Sequence, residues 1–306
     1  MIELIATVES IQQAEELLKV GMDCLYFGED QFGLRLPTSF TRQEQKELTD
    51  LAHAYGKKVS VAVNAIFHND GIDLVPEYLA FLKEIGVDTI TVGDPGVVQI
   101  MKNPALFIPY RYDAQVVVTS SKQINFWANR GAVAAVVARE VPRQSLEILA
   151  AESMVPVEVL VYGATCIHQS RRPLLQNYYN FIEKDDSVTK DRGLFLSEPK
   201  KDETHYSIYE DRNGTHIFAS NDVLLAAHLD ELEGMKVAQW KLEGIFSPGQ
   251  NFVDIASLFA KARDAIQAGK WSQEDGLALE EQVRQLHPPV RELDTGFYLL
   301  DPSIVK

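Results

Sequence analysis

Short apolar runs rich in β-branched residues alternate along the chain with longer stretches whose apolar positions recur every three to four residues. "IELIAT" (2–7) reads as a buried strand. "SIQQAEELLKVG" follows as a helix, with Ser10 as N-cap, Ile11, Ala14, Leu17 and Leu18 on one face, and Gly21 as the stop. "MDCLYFG" then opens the next strand. The unit repeats as "TRQEQKELTDLAHAYG" before "KKVSVAVN", "VPEYLAFLKEIG" before "VDTITVGD", and "SSKQINFWANRG" before "AVAAVVARE". "LEILAAES" precedes "PVEVLVYG", and "DVLLAAHLDELEG" precedes "MKVAQWKLEG". With a further strand near "FIPYRYDAQV", about eight βα units predict an α/β protein of the (β/α)8, TIM-like barrel class. A doubly wound open sheet is the alternative. Its usual phosphate cradles are missing, since no G-x-G-x-x-G follows the first strand and no G-x-x-x-x-G-K-S/T occurs.

The rhythm breaks at residues 178–220, which read as an excursion inserted between the seventh and eighth barrel strands. Its second half predicts a hairpin, "THYSIYE" and "THIFAS", around Asp211-Arg212-Asn213-Gly214, where Asn-Gly supplies the positive φ of a tight turn. The expected organisation is a barrel over 1–270 carrying that insertion, with 271–306 as a C-terminal helix and tail.

Composition narrows the class. The 306 residues are 46% hydrophobic and 24% charged, close to globular averages, and the two cysteines, Cys24 and Cys166, exclude a disulfide framework. The first residues carry Glu3 instead of a basic segment, and no apolar run approaches about 18 residues, so neither a signal peptide nor a membrane span is expected. A reducing cytoplasm is the expected compartment. The net charge of −15 repels a polyanion over the surface as a whole. A nucleic-acid partner would need a local basic pocket, such as one near Arg171 and Arg172, or a more basic second subunit.

In a barrel of this class the site lies at the C-terminal ends of the strands. Those ends are polar: Glu29, Asn64 with His68, Asp94, Gln115, Arg139 with Glu140, Tyr162 through Cys166, and Lys241 with Glu243. Residues two apart share one face of a strand, so Lys241 and Glu243 can both point inward. Arg139-Glu140 and Lys241-Leu242-Glu243 read either as an anion-binding cation held by carboxylates or as ion pairs capping the barrel. His68 and His168 lie in the rim, whereas His53, His205, His216, His228 and His287 read as helix or hairpin surface positions. Cys166 reads as a nucleophile with His168 as its base, or as a small buried thiol packing the loop. A metal site is disfavoured because zinc or an iron–sulfur cluster needs three or four suitable ligands. No H-E-x-x-H or G-x-S-x-G occurs.

"EVLVYGATC", Glu158 to Cys166, closely resembles the signature of the U32 family, historically called collagenase-like peptidases, in which E-x-[FL]-x-x-G-A-x-C leads into a second cysteine. "VAVNAIFHND" (61–70), "VGDPGV" (92–97), "VAREV" (137–141), "KLEG" (241–244) and "TGF" (295–297) agree with it. The resemblance implies a barrel-like catalytic domain. It also implies a role in oxygen-independent hydroxylation of RNA, with a peptidase as the alternative suggested by the family's name and a non-catalytic scaffold subunit as another. The chain departs from the family at Pro173, where the second signature cysteine would stand, and at Phe195 and Pro199, within "RGLFLSEP". Of the four thiolates that hold a 4Fe-4S cluster in relatives, Cys166 alone remains. The resemblance is therefore to a short, cluster-free branch that works beside a cluster-bearing paralogue. Its expected substrates are tRNA, at the wobble uridine, and a small carboxylate donor such as prephenate. Arg139, Lys241 and Arg35 would bind carboxylate or phosphate groups.

Overall fold

The structure, a computed structural model, describes residues 1–113 and 118–305. Eight parallel strands close into a barrel: β1 (Glu3–Thr7), β2 (Cys24–Gly28), β3 (Lys58–Val63), β4 (Thr89–Val92), β5 (Tyr110–Tyr112), β6 (Ala132–Val136), β7 (Val157–Gly163) and, after the excursion, Gln239–Glu243. The last strand pairs with both β1 and β7, which completes the ring. The helices between strands are set by ordinary local signals. Ser10 caps the helix Ile11–Lys19 by accepting from the Gln13 N–H, and Thr41 and Glu44 form a reciprocal capping box at the start of Arg42–Ala54.

Strand alternation divides the barrel into two unlike faces. The outward face is apolar. Leu4, Leu25, Phe27, Val61, Ile90 and Trp240 are fully buried against the helix layer. Each such side chain contributes about 1.5–3 kcal/mol through burial, so the core sits between the sheet and the helices. The inward face carries a small apolar cluster of Ile5, Cys24, Tyr26 and Ala62. Around it stand Ser60 and Thr91, whose hydroxyls are 3.2 Å apart, and a set of charged side chains. Barrels of this class usually fill the interior with branched aliphatic residues. Here the interior is polar, and that polarity positions the site.

Between β7 and the closing strand the chain builds a four-stranded antiparallel sheet from β8 (Cys166–Ser170), β9 (Phe195–Glu198), β10 (Lys201–Asp211) and β11 (Gly214–Phe218), in the order β8-β11-β10-β9. The turn joining β10 to β11 spans Arg212 and Asn213, and Gly214 follows at φ +101°. A Cβ at Gly214 would collide with the Ser170 carbonyl. Strand β12 (Asn221–Leu224) returns antiparallel to β7, with β13 (Gln239–Glu243) as the closing barrel strand and β14 (Glu292–Asp294) parallel to β12. The buried Arg291 grips Asp222 through Nε at 2.9 Å and Nη2 at 2.6 Å, and donates to Ser207 Oγ at 2.6 Å. It thereby ties the C-terminal segment to both the barrel flank and the excursion sheet. No helix among the described residues is long and apolar enough to cross a membrane.

Candidate functional site

The floor of the barrel is an ionic plug. Arg111, on β5, reaches across the interior to Glu3 Oε2 on β1 at 3.0 Å, Gln239 Oε1 on β13 at 2.7 Å and Glu158 Oε2 on β7 at 3.4 Å. Arg111 and Glu158 are each only 3% exposed. This network closes the end opposite the strand C-termini, and a polar cavity of about 80 Å³ lies above it.

Lys241, 4% exposed, stands in the wall of that cavity with Nζ 3.1 Å from the centre of the Tyr26 ring. Burial pulls its ammonium down from the ordinary lysine value, against the opposing pull of Glu158 and Glu243. Burial likewise raises Glu243, while Lys241 and a hydrogen bond from Thr7 act to lower it. Arg139 enters the same cavity from the loop after β6, and its Nη1 is buried without a hydrogen-bond partner. A buried guanidinium N–H left unpaired carries a desolvation cost that a bound carboxylate or phosphate oxygen would relieve. Arg35 lines the cavity too, in a left-handed backbone conformation at φ +55°, and donates to Gln169 on β8 at 3.1 Å. Asn64 is fixed between the Leu34 N–H at 3.0 Å and Asp113 Oδ2 at 3.1 Å.

Cys166 sits at the lip, where β8 leaves the barrel. Gly163 makes that departure possible: it holds φ +117°, and a Cβ there would run into the Glu243 backbone. The ring that serves the thiol is His216 and not His168. Cys166 lies opposite Phe218 across the β8–β11 pair, and His216, two residues before Phe218, shares its face. His216 is fully buried, its Nε2 is 2.9 Å from Asp211 Oδ1, and its Nδ1 has no close hydrogen-bond partner. Burial works to raise the Cys166 thiol, but the His216 ring and the Arg35 charge outweigh it and hold the thiol below its ordinary value. Burial works to lower His216, and Asp211 together with Cys166 raise it. No tight hydrogen bond joins thiol and ring, so the coupling is electrostatic at short range. Cys24 is the opposite case: burial in the barrel wall pushes its thiol up to about 12.

The structure gathers Arg35, Asn64, Arg139, Cys166, Lys241 and Glu243 around one cavity. His168 stands outside it, exposed on β8; its backbone carbonyl accepts from the Cys166 thiol at 3.3 Å, and its ring faces a second, outer cavity. Asp94 borders the outer cavity but is occupied structurally, accepting from Gly96 N–H at 2.7 Å and Phe67 N–H at 3.1 Å. His68 is exposed beyond both cavities, and Arg171, also exposed, donates to the Arg212 carbonyl. Glu140 lines neither cavity, and its Oε2 is buried without a hydrogen-bond partner. Tyr162 is corrected from rim to outer layer. It packs against Phe252 and Phe259, with its hydroxyl 2.9 Å from Ser247 Oγ and 2.8 Å from His287 Nδ1. His216 and His287, expected at the surface, are both buried. Gln115 lies outside the described residues.

Sequence reasoning missed Tyr26, Arg111, Asp113 and Glu158, which lie within strands or before their expected ends. Their signal was present as alternation: Glu3, Ile5 and Thr7, or Gln239, Lys241 and Glu243, each share one face.

A four-thiolate cluster does not fit the residues present. Pro173 caps the helix Leu174–Phe181, Phe195 begins β9, and Cys24 is sealed in the barrel wall. Among the described residues no group of three or more His, Cys, Asp and Glu could hold a metal ion.

The model of a family described as peptidase family U32 matches residues 9–305. The chain is 34% identical over 306 residues to tRNA hydroxylation protein P2 of Bacillus subtilis (strain 168), covering 97% of each. It is 25% identical over 269 residues to the 23S rRNA 5-hydroxycytidine C2501 synthase of Escherichia coli (strain K12), covering 87% of this chain and 40% of that one. Among solved structures, the U32 peptidase Mk0906 superposes with a TM-score of 0.52 at 14% identity, covering 82% of this chain and 94% of that one, a likeness of fold.

Proposed function

Because the chain belongs to peptidase family U32, we propose that it is a component of an oxygen-independent RNA hydroxylation system that converts the tRNA wobble uridine to 5-hydroxyuridine. The resemblance to a tRNA hydroxylation protein along nearly the whole chain supports the substrate class. The observation that carries the chemistry is the buried, unpartnered Arg139 Nη1 beside Lys241 in a polar barrel cavity. A small carboxylate donor of the prephenate type suits those cations, since its charge would be neutralised where water is scarce. Arg139 would orient the carboxylate, and Lys241, with Glu243 beside it, would hold or give up a proton at the reacting end.

The chain supplies no cluster of its own in this reading, and its acidity does not favour RNA unaided. A cluster-bearing paralogue in a hetero-oligomer would provide both redox chemistry and basic surface. Anaerobically purified chain should therefore be colourless and carry no stoichiometric iron or sulfide; full occupancy of a cluster would overturn the ligand count.

The peptidase alternative draws on Cys166, His216 and Asp211, which share the residue types of a thiol-hydrolase triad. Deleting the gene separates the two. Hydroxylation predicts that 5-hydroxyuridine-derived nucleosides disappear from mass spectra of bulk tRNA, whereas a peptidase leaves that profile intact and cleaves protein substrates.

A further inference from the structure

Cys166 borders two cavities, not one. On its inner side is the cationic barrel cavity; on its outer side is an open cavity of about 480 Å³, within the range of roughly 300–1,000 Å³ common for small-molecule sites. The outer cavity has apolar walls at Ile66, Pro95 and Ile167, with Ile66 and Ile167 exposed to the opening. Its polar wall, Asn64 and Asp113, is shared with the inner cavity. Gly93 lets the chain pass close to Asp113, since a Cβ there would strike the Asp113 carbonyl. A flat ring with polar edges suits such a slot: its faces meet the apolar walls and its edge meets the amide and carboxylate. The thiol is then at the ring's margin, with the inner cavity behind it.

From this placement we infer that Cys166 adds to C6 of a pyrimidine base seated in the outer cavity, activating C5 toward the inner cavity. The inference rests on the RNA-hydroxylation reading and deepens it. The step is balanced without an oxidant. The thiol proton passes to His216 Nδ1, which is buried and unpartnered, while Asp211 holds Nε2. The sulfur forms a bond to C6, and the C5–C6 π pair moves to C5 and O4 as an enolate. Protonation of C5 by the imidazolium, loss of the other C5 hydrogen and expulsion of the thiolate restore the base. The net result is exchange of the C5 hydrogen with solvent. Carbon 5 of an ordinary pyrimidine is a poor nucleophile, whereas C5 of the adduct carries the electron pair that any transfer of oxygen to it requires.

The test uses the full chain, purified from its host with its bound subunits, and a tRNA transcript substituted with 5-fluorouridine. With prephenate supplied as donor, oxygen added at C5 leaves fluorine where the departing proton would have been, so the thiolate cannot be expelled by loss of H+ and the adduct should persist through SDS and appear as a protein–RNA species. Unsubstituted transcript in D2O should gain deuterium at C5 of the target uridine. Cys166→Ser should reduce both to background while melting like wild type, and Cys24→Ser should leave both intact. His216→Asn should slow trapping at least tenfold and move its pH profile upward. Trapping that survives Cys166→Ser, or wild type that yields neither adduct nor exchange, overturns the inference. A Cys166→Ser strain with full 5-hydroxyuridine-derived nucleosides does so as well, and leaves the hydroxylation reading standing. That reading falls instead if deletion of the whole gene leaves those nucleosides unchanged.

Discussion

Two cysteines in one chain occupy opposite electrostatic settings. At Cys24 burial outweighs the nearby Arg111 and Lys241 charges and raises the thiol to about 12; Cys166 sees His216 and Arg35 and is lowered. A lowered thiol ionises as pH rises through a value below the ordinary one, so its reaction with iodoacetamide should begin at a lower pH than for a free thiol. At neutral pH the folded chain should be alkylated at Cys166 and spared at Cys24, as read by peptide mass mapping. His216→Asn removes the neighbouring ring and should shift the alkylation curve to higher pH. Equal labelling of both cysteines would contradict the assignment. The importance of Cys166 was legible from its place after an apolar strand, but its partner was not. Sequence proximity favours His168, two residues away, whereas a strand pairing with a bulge brings His216 to the same face.

At the scale of elements, the strand–helix rhythm fixes the order of the barrel, because each strand is apolar on the face that meets its helices. The inward polarity is also written in the strands, at every second position, yet a short strand with mostly apolar residues reads as buried on both faces. Arg111 between Tyr110 and Tyr112 illustrates the ambiguity: only closure of the ring, opposite Glu3 and Gln239, gives it partners. The departure of β8 from the barrel depends on Gly163, where positive φ coincides with contact against the Glu243 backbone. Gly163→Ala should cost about 2–3 kcal/mol or more through strain and collision together, lowering the melting temperature by several degrees. It should also displace Glu243 from the cavity wall. A variant that melts like wild type would show that the backbone can relax there.

At the scale of the molecule, the excursion sheet, the barrel flank and the C-terminal segment meet at the buried Arg291–Asp222 pair. Asp222→Ala leaves a buried guanidinium without its carboxylate and should cost about 3–5 kcal/mol, with earlier proteolysis in the excursion. An unchanged urea midpoint would remove the pair from the account. This assembly shapes the cavity that holds Lys241, and Lys241→Met probes it cleanly, because methionine keeps much of the stem's packing and deletes the charge. Relief of a buried ammonium and loss of a partner for Glu243 oppose each other, so stability should stay within about 2 kcal/mol of wild type. Loss of a charged contact at a reacting group commonly costs about a hundred- to a thousandfold in rate, about 2.7–4 kcal/mol. The measurement is the quantity of 5-hydroxyuridine-derived nucleosides in bulk tRNA from a deletion strain carrying this variant, beside its thermal melt. A normally folded protein with nucleosides reduced at least tenfold is expected; a normally folded variant that restores them fully would show that the Lys241 charge takes no part in the reaction.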